Sequence, residues 1–381
     1  MIELGRCHAV NAWEQRKLKD LIIKGGSGGT PNSRIKKYYI GNIPFLNISD
    51  ISTRNIQDSE KHISKQGMES CSAWLVPAGS ISLAMYASVG KVGVLMKPMA
   101  TSQAFYNLCF NDESLRNYVY SRLEKAQIYS EWNPYISTGT QSNLNAKKVL
   151  NFILEIPEPE EVEQIGKLFT ILDALIDAEK RKLDLLKDKK TALLRQIFDQ
   201  KARFKGYTDP WEQRKLGDIL SYEQPYEYIV SSDDYSPVAR TPVLTAGKTL
   251  ILGYTNEADG IKAVTKDSPV IIFDDFTASS HIIDYSFKIK SSAMKILSLR
   301  DSENDLYCIY YALTRIIRPS ASHERQWISK YARATVTIPS KDEQQVIGDF
   351  LRKLDRLIAA ESRKIDLLEL KKKALLQQMF V

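Results

Sequence analysis

Two stretches of this 381-residue chain occur twice, and the repetition constrains its fold more than any other feature. Trp13-Glu14-Gln15-Arg16-Lys17-Leu18 returns 198 residues later as Trp211-Glu212-Gln213-Arg214-Lys215-Leu216. Ile156 to Phe198 returns without a gap as Ile338 to Phe380, 182 residues later, with about half of its positions identical. Ile165-Gly166, Leu172-Asp173, Asp184-Leu185-Leu186 and Ala192-Leu193-Leu194 are among the shared residues. The chain is therefore two copies of one unit. The segments between tag and long repeat share little similarity, and the second is 16 residues shorter. Constant frames enclose variable inserts.

The long repeats have the period of coiled-coil helices. Ile165, Phe169, Leu172, Ile176, Glu179, Leu183, Leu186, Lys190, Leu193 and Ile197 are spaced alternately by four and three, as are Ile347, Leu351, Leu354, Ile358, Glu361, Ile365, Leu368, Lys372, Leu375 and Met379. Each pattern begins just after proline (Pro157 and Pro159; Pro339) and has an acidic first turn (Glu160, Glu161 and Glu163; Asp342 and Glu343), which the helix dipole favours. Some 38 residues at about 1.5 Å each predict a rod of roughly 57 Å. An apolar stripe of that length needs cover, and the other copy carries a matching one. Both seams are interrupted by a glutamate and, eleven residues on, by a lysine. With the helices antiparallel about a pseudo-twofold axis between those positions, Glu179 is expected to face Lys372 and Glu361 to face Lys190, fixing the register. The plainer alternative leaves the charges at the seam edge, stems packed and heads in water.

The inserts read differently. Ile43 to Ile48, Ser80 to Met85, Val92 to Met96, Val270 to Phe273 and Ala334 to Ile338 are short β-rich runs punctuated by turn residues. The expected fold class is α+β: two mixed α/β domains separated by two long antiparallel coiled-coil helices, with a pseudo-twofold internal repeat. The expected divisions are a leader over 1–12, a first domain over 13–157, a helix over 158–200, a basic aromatic linker over 201–210, a second domain over 211–339 and a helix over 340–381.

Composition narrows the class. At 43% hydrophobic and 26% charged residues the chain suits a folded protein of several domains, and its +7 net charge favours a polyanionic partner. The longest strand-like apolar run, Pro269 to Phe273, is far below the roughly 18 residues of a membrane span. Met1 to Val10 lacks the pattern of a secretory signal, so a cytoplasmic protein is expected, without a membrane partner. Cys7, Cys71, Cys109 and Cys308 are scattered and are expected to be reduced, with no metal site.

The doubled tags, the lead-in Phe204-Lys205-Gly206-Tyr207-Thr208-Asp209 and the repeated Leu-Asp-x-Leu-Ile of Leu172 to Ile176 and Leu354 to Ile358 resemble the specificity subunit of type I restriction-modification systems. Gly29-Thr30-Pro31-Asn32-Ser33, Ile43-Pro44-Phe45 with Ser49-Asp50-Ile51, and Gly139 to Asn145 add to the likeness, as do Gly253-Tyr254-Thr255 and Ser291-Ser292-Ala293. The resemblance covers nearly the whole chain. It implies two target recognition domains, each reading one half of a split double-stranded DNA sequence, held apart by the conserved helices. It further implies that the helices dock two methyltransferase subunits and that restriction subunits join them. No cofactor is then expected on this chain; S-adenosylmethionine, ATP and Mg belong to the partners. To read one face of the duplex, the two domains should lie about one helical turn apart, near 34 to 36 Å. Because the inserts differ, the target should be asymmetric.

Other chemistry fits less well. Gly25-Gly26-Ser27-Gly28-Gly29 has no following Gly-Lys-Ser/Thr and is expected to be a flexible turn rather than a phosphate loop. Asn133-Pro134-Tyr135 lacks the second proline of the Asn-Pro-Pro-aromatic motif of amino-methyltransferases. Asp274-Asp275 ends an apolar strand where a nuclease could hold a metal, without a lysine at nuclease spacing. His8, His62, His281 and His323 form no cluster. Catalytic residues are therefore not expected, and polar loops are the candidates for reading DNA. In the first domain these are Thr30, Ser33, Arg34, Lys36, Lys37, Ser88, Lys91, Thr140, Gln141 and Asn143. In the second they are Lys248, Tyr254, Thr255, Lys262, Thr277, Ser280, His323, Arg325 and Gln326. Lys and Arg suit phosphates or guanine, Gln and Asn adenine edges, and each could equally be a solvated loop residue. The competing classes are a self-contained DNA methyltransferase or nuclease, and a coiled-coil scaffold without DNA recognition.

Overall fold

The tag that opens each copy is a β-strand whose partner is the strand leading into the long helix. In the computed structural model, which describes residues 13–136, 143–245, 249–318 and 324–380, β1 (Glu14–Lys17) pairs antiparallel with the strand Ile153–Ile156, Glu14 opposite Ile156. Glu212–Lys215 does the same with Thr335–Ile338, Glu212 opposite Ile338. The leucine that closes each tag, Leu18 or Leu216, is fully buried. The tag thus clamps each variable insert at the root of its helix.

The chain divides into two compact units, Met1–Leu183 with Glu361–Val381, and Asp184–Ala360. In the first unit β2 (Lys24–Ser27), β3 (Ile43–Leu46), β4 (Asn55–Ile56), β5 (His62–Ile63), α1 (Lys65–Glu69), β6 (Ile81–Ala84), β7 (Val92–Leu95), β8 (Ala100–Thr101), β9 (Phe105–Cys109), α2 (Glu113–Ile128), α3 (Ala146–Leu150) and β10 (Ile153–Ile156) lead to α4 (Pro159–Phe198). The described residues form a five-stranded sheet of order β2-β9-β6-β7-β4, and a small sheet β5-β3-β8 in which β3 and β8 are parallel.

In the second unit β11 (Glu212–Lys215), α5 (Leu216–Ile219), β12 (Leu220–Glu223), β13 (Thr241–Leu244), β14 (Ile251–Thr255), β15 (Val270–Asp274), β16 (Ser280–Ile283), β17 (Lys288–Ile289), β18 (Met294–Leu299), α6 (Leu306–Ile316), α7 (Gln326–Ser329) and β19 (Thr335–Ile338) lead to α8 (Lys341–Met379). Its main sheet has the order β12-β18-β15-β16, and β13 pairs parallel with β17 beside β14. Apart from β4, which extends the first sheet, the two inserts therefore share one topology despite their dissimilar sequences. Neither long helix is apolar enough to cross a membrane, nor is any other among the described residues.

Each unit holds half of each long helix, and within each the two run antiparallel. In the first unit Ile165 and Phe169 of α4 bury with Leu376 and the following Phe380, whose ring stacks on Phe169 at 5.8 Å. In the second, Ile197 buries with Ile347, Leu351 and the tag residue Trp211. The repeated glycine of each helix lets the insert's own helix approach. At Gly348 an added Cβ would lie 1.8 Å from Asp305 Oδ1, and at Gly166 3.0 Å from the Tyr118 backbone nitrogen. Asp305 caps α6, accepting the Cys308 N–H at 2.8 Å, and also receives Arg352 at 3.0 Å.

The charges on the seam pair otherwise than expected. Glu179 takes Lys364 at 2.5 Å rather than Lys372, and Glu361 takes Lys182 at 2.7 Å rather than Lys190. Lys182 and Lys364 each also reach the glutamate of their own helix, so Glu179 and Glu361 sit side by side. The Glu361 carboxyl beside it, and next the Lys364 ammonium, hold the Glu179 pKa down to about 2. The lysines meet the aspartate of the repeated Leu-Asp pair instead: Lys372 meets Asp173 in the first unit, and Lys190 meets Asp355 in the second. The aspartate wins because it follows the seam leucine directly and projects beside the incoming lysine, whereas the glutamates face one another. Arg54 adds a hydrogen bond to Asp173 at 3.1 Å, and Lys372 also holds Glu124 at 2.5 Å.

The glycine run also differs from expectation. Lys24–Ser27 is an edge strand of the five-stranded sheet rather than a flexible turn. Gly28 packs so tightly that a Cβ would meet Thr101 O at 2.0 Å, and Gly25 faces the Tyr106 ring.

Two predictions test this frame. Gly348→Ala should cost the protein about 1–3 kcal/mol through overpacking against Asp305, read from urea denaturation. Lys372→Met should cost about 1–3 kcal/mol near neutral pH, because it leaves a buried carboxylate pair with Arg54 as its remaining cation. Burial already raises the pKa of Glu124. Without Lys372 its folded pKa stands further above its unfolded one, so the loss is greatest above both and shrinks as pH falls through the folded value. Denaturation of both proteins from pH 8 to pH 4 reads that slope.

Candidate nucleic-acid interface

In the five-stranded sheet of the first unit, β2 and β6 end where β9 and β7 begin. Loops 28–37, 85–91 and 102–104 therefore gather at one end of that sheet. Met85 N–H donates to Ala104 O at 2.7 Å, and Met85 O accepts Leu144 N–H at 2.9 Å, which draws Asn143 to the same end. Thr30 is tied to Gln103 through their side chains. Ser33, Arg34, Lys36 and Lys37 follow on the exposed side of that loop, the two lysines in a 3-10 turn.

The tip between β6 and β7 is strained. Ala87 (φ +37°) and Ser88 (φ +69°) are left-handed without being glycine, and Gly90 (φ +83°) lies against Trp132 so closely that a Cβ would come within 2.4 Å of the indole. Strain of this kind costs on the order of 1–3 kcal/mol per residue and is retained where the surroundings over-determine it. It presents Tyr86 and Ser88 outward. Tyr86 is not among the residues expected from sequence; an aromatic residue in a glycine-bearing loop after an apolar strand is the signal that points to it. Lys91 behaves differently. It is half-buried and lines a cavity of about 300 Å³ with Arg54, Glu124, Asp173 and Lys372, away from the loop tip.

The second unit repeats the layout. Asp275 to Ser279 joins β15 to β16, and Ala278 is again left-handed (φ +58°). Gln326 N–H donates to Asp275 O at 2.8 Å, the counterpart of the Leu144–Met85 bond. Thr277 is exposed, its hydroxyl donating to Asp274 at 2.5 Å. Ser280 opens β16, and exposed Arg325 precedes α7. Tyr254 is exposed on β14. His281 contacts Ser279 at 3.3 Å, and burial pushes its imidazole pKa down.

Two candidates serve the fold instead. Thr255 is buried, its hydroxyl accepting the Glu257 N–H at 3.2 Å. Gln326 is buried and donates its amide to Phe276 O at 2.5 Å. Both close a loop on its strand, out of reach of a base edge. Lys262 is half-buried and held by Glu223 and the Tyr228 hydroxyl, the latter at 3.4 Å. Thr140, Gln141, Lys248 and His323 lie outside the described residues.

The acidic pair is structural as well. Asp275 is almost wholly buried, accepts the Trp327 N–H at 2.7 Å and faces Lys295 at 3.4 Å, so the lysine that sequence spacing lacks is supplied across the sheet. Among the described residues no group of three His, Cys, Asp or Glu side chains is placed to hold a metal ion.

The family profile described as the type I restriction modification DNA specificity domain matches residues 11–188 and 208–370. Over 165 residues the chain is 43% identical to the specificity subunit of the type I restriction enzyme EcoR124I/EcoR124II of Escherichia coli, covering 42% of this chain and 41% of that protein. Over 255 residues it is 29% identical to the type I restriction enzyme MjaIX specificity subunit of Methanocaldococcus jannaschii, covering 62% of this chain and 59% of that protein. The matches thus span less than two thirds of either relative. The fold is similar to the crystal structure of a type I restriction-modification system S subunit from M. genitalium, with a TM-score of 0.67 at 13% identity over 100% of this chain and 98% of the other.

Substitution separates the two kinds of candidate. Arg34→Ala or Lys36→Ala should weaken duplex DNA binding and lower the salt slope, log Kd against log salt, by about 0.9 for each phosphate no longer neutralised. Thr255→Val should lower stability and leave that slope unchanged. Fluorescence anisotropy at several salt concentrations measures both.

Proposed function

Because the chain belongs to the family of type I restriction modification DNA specificity domains, we propose that it is the DNA-reading subunit of such a system, each unit recognising one half of a bipartite, asymmetric double-stranded target. The observation that carries this reading is the shared sheet topology, with loops that differ in sequence gathered at the same end of both sheets. A constant frame with exchangeable loops is what reading two different half-sites requires. A basic chain supports phosphate contact, and exposed Ser88, Arg34, Thr277 and Arg325 supply donors and acceptors at those ends.

The helices set the spacing between half-sites. Each of α4 and α8 is continuous and contributes to both compact units. The helices also dock two methyltransferase subunits, which restriction subunits join. Leu175 and Leu185 on α4 and their repeat counterparts Leu357 and Leu367 on α8 support this, each off the heptad seam and between 41 and 54% exposed. Catalysis, with S-adenosylmethionine, ATP and Mg, belongs to those partners.

Methylome sequencing of cells expressing the chain with a cognate methyltransferase subunit tests the proposal. One asymmetric bipartite motif is expected, and exchanging residues 19–152 for another insert should change one half-site alone. Methyl transfer by the purified chain without a partner, or a change in both half-sites, overturns it.

A further inference from the structure

The two copies differ at a place where their frames match. In the second unit the chain leaves α4 and lays Arg203 and Phe204 against the first turns of α8. Arg203 grips Glu343 with two hydrogen bonds, Nε to Oε1 at 3.0 Å and Nη2 to Oε2 at 2.6 Å. Trp211 Nε1 donates to the same Oε2 at 3.1 Å, and Phe204 meets Phe350 edge to face at 5.6 Å. The Glu343 side chain is only 1% exposed. A carboxylate so far from water is tolerable because a planar guanidinium and an indole satisfy it together.

The repeat places Trp13, Glu161 and Leu168 of the first unit at the positions of Trp211, Glu343 and Phe350. Here Glu161 and Leu168 are exposed, and Trp13 is half-buried where Trp211 is buried. Among the described residues no hydrogen bond reaches Glu161 or the Trp13 indole nitrogen. Among the described residues the acceptor half of the motif is thus present twice and its occupant once. Met1 to Ala12, outside the described residues, carries a single arginine, Arg6, and no Phe, Tyr or Trp.

We propose that the Trp13–Glu161–Leu168 face of the first unit is a docking site for an extended arginine–aromatic segment of a second polypeptide, with the chemistry that Arg203-Phe204 shows in the second unit. The fit follows from charge and shape. Glu161 lies in an acidic first turn with Glu160, the repeat assigns Trp13 the position from which Trp211 meets Glu343, and Leu168 offers the apolar surface that a phenyl ring covers. The inference rests on the internal repeat and stands apart from DNA reading.

In the second unit the segment is tethered, at an effective concentration on the order of millimolar. Free peptide should therefore bind weakly, with Kd on the order of 0.1–1 mM. A fluorescent peptide of the sequence Lys201 to Thr208 titrated with the full chain, read by anisotropy, should saturate at one per chain. Replacing its arginine by alanine should weaken binding at least about tenfold, as should Glu161→Gln in the protein, a surface change whose folding is checked by circular dichroism. Glu343→Gln should leave binding intact. No saturation by several millimolar overturns the proposal, as does equal binding by the Glu161→Gln protein. Binding lost only with Glu343→Gln means exchange with the chain's own linker and also overturns it. So does binding that appears only after residues 1–12 are removed, which means that the leader already covers the face.

Discussion

The fold depends on each compact unit being completed by the far end of the other repeat's helix. Phe169 lies in the core of its own copy, and Phe380 completes its cover from the end of the second. Ile197 in turn packs against Ile347 and Leu351. A single copy would leave its stripe in water, so duplication here is a condition of burial. Loop closure over such separations is slow to form but costs little more in free energy than a short loop, since its entropy grows only with the logarithm of length.

Register is then set by charge. An apolar seam of heptads could slip by a turn at modest loss, but a slip would part Lys372 from Asp173 and Glu124, and Lys190 from Asp355 and the Tyr311 hydroxyl at 2.6 Å. Such pairs add little to stability compared with leucines in their place, because desolvation offsets their attraction. They make every other register worse. The juxtaposed Glu179 and Glu361 are each neutralised by a lysine of the opposite helix.

Around this frame the inserts divide their polar residues between holding loops and presenting them. Asp275, Lys295 and Gln326 are buried and fix the β15–β16 loop to its sheet, while Thr277 on the same loop is free of the core. Gly28 and Gly90 do comparable work in the first unit by allowing close approach to Thr101 and Trp132. Rigid bases under exposed tips let the tips change in sequence without loss of the fold, which is why two inserts with little sequence in common share one topology.

Much of this was legible in the residues. The tags, the two helices and the strands near Ile43, Ile81, Val92, Val270 and Thr335 follow from repetition, from the heptad spacing and from short β-rich runs between turn residues, which are local properties of the chain. The repeat also implied antiparallel helices. It could not say that Lys372 meets Asp173 rather than Glu179, that Gly25 to Ser27 is an edge strand, or that Thr255 and Gln326 are buried. Those outcomes depend on which side chains arrive from distant parts of the chain and on how much water they displace. Local patterning determined what the elements are, and only their packing decided which polar groups are left to meet another molecule.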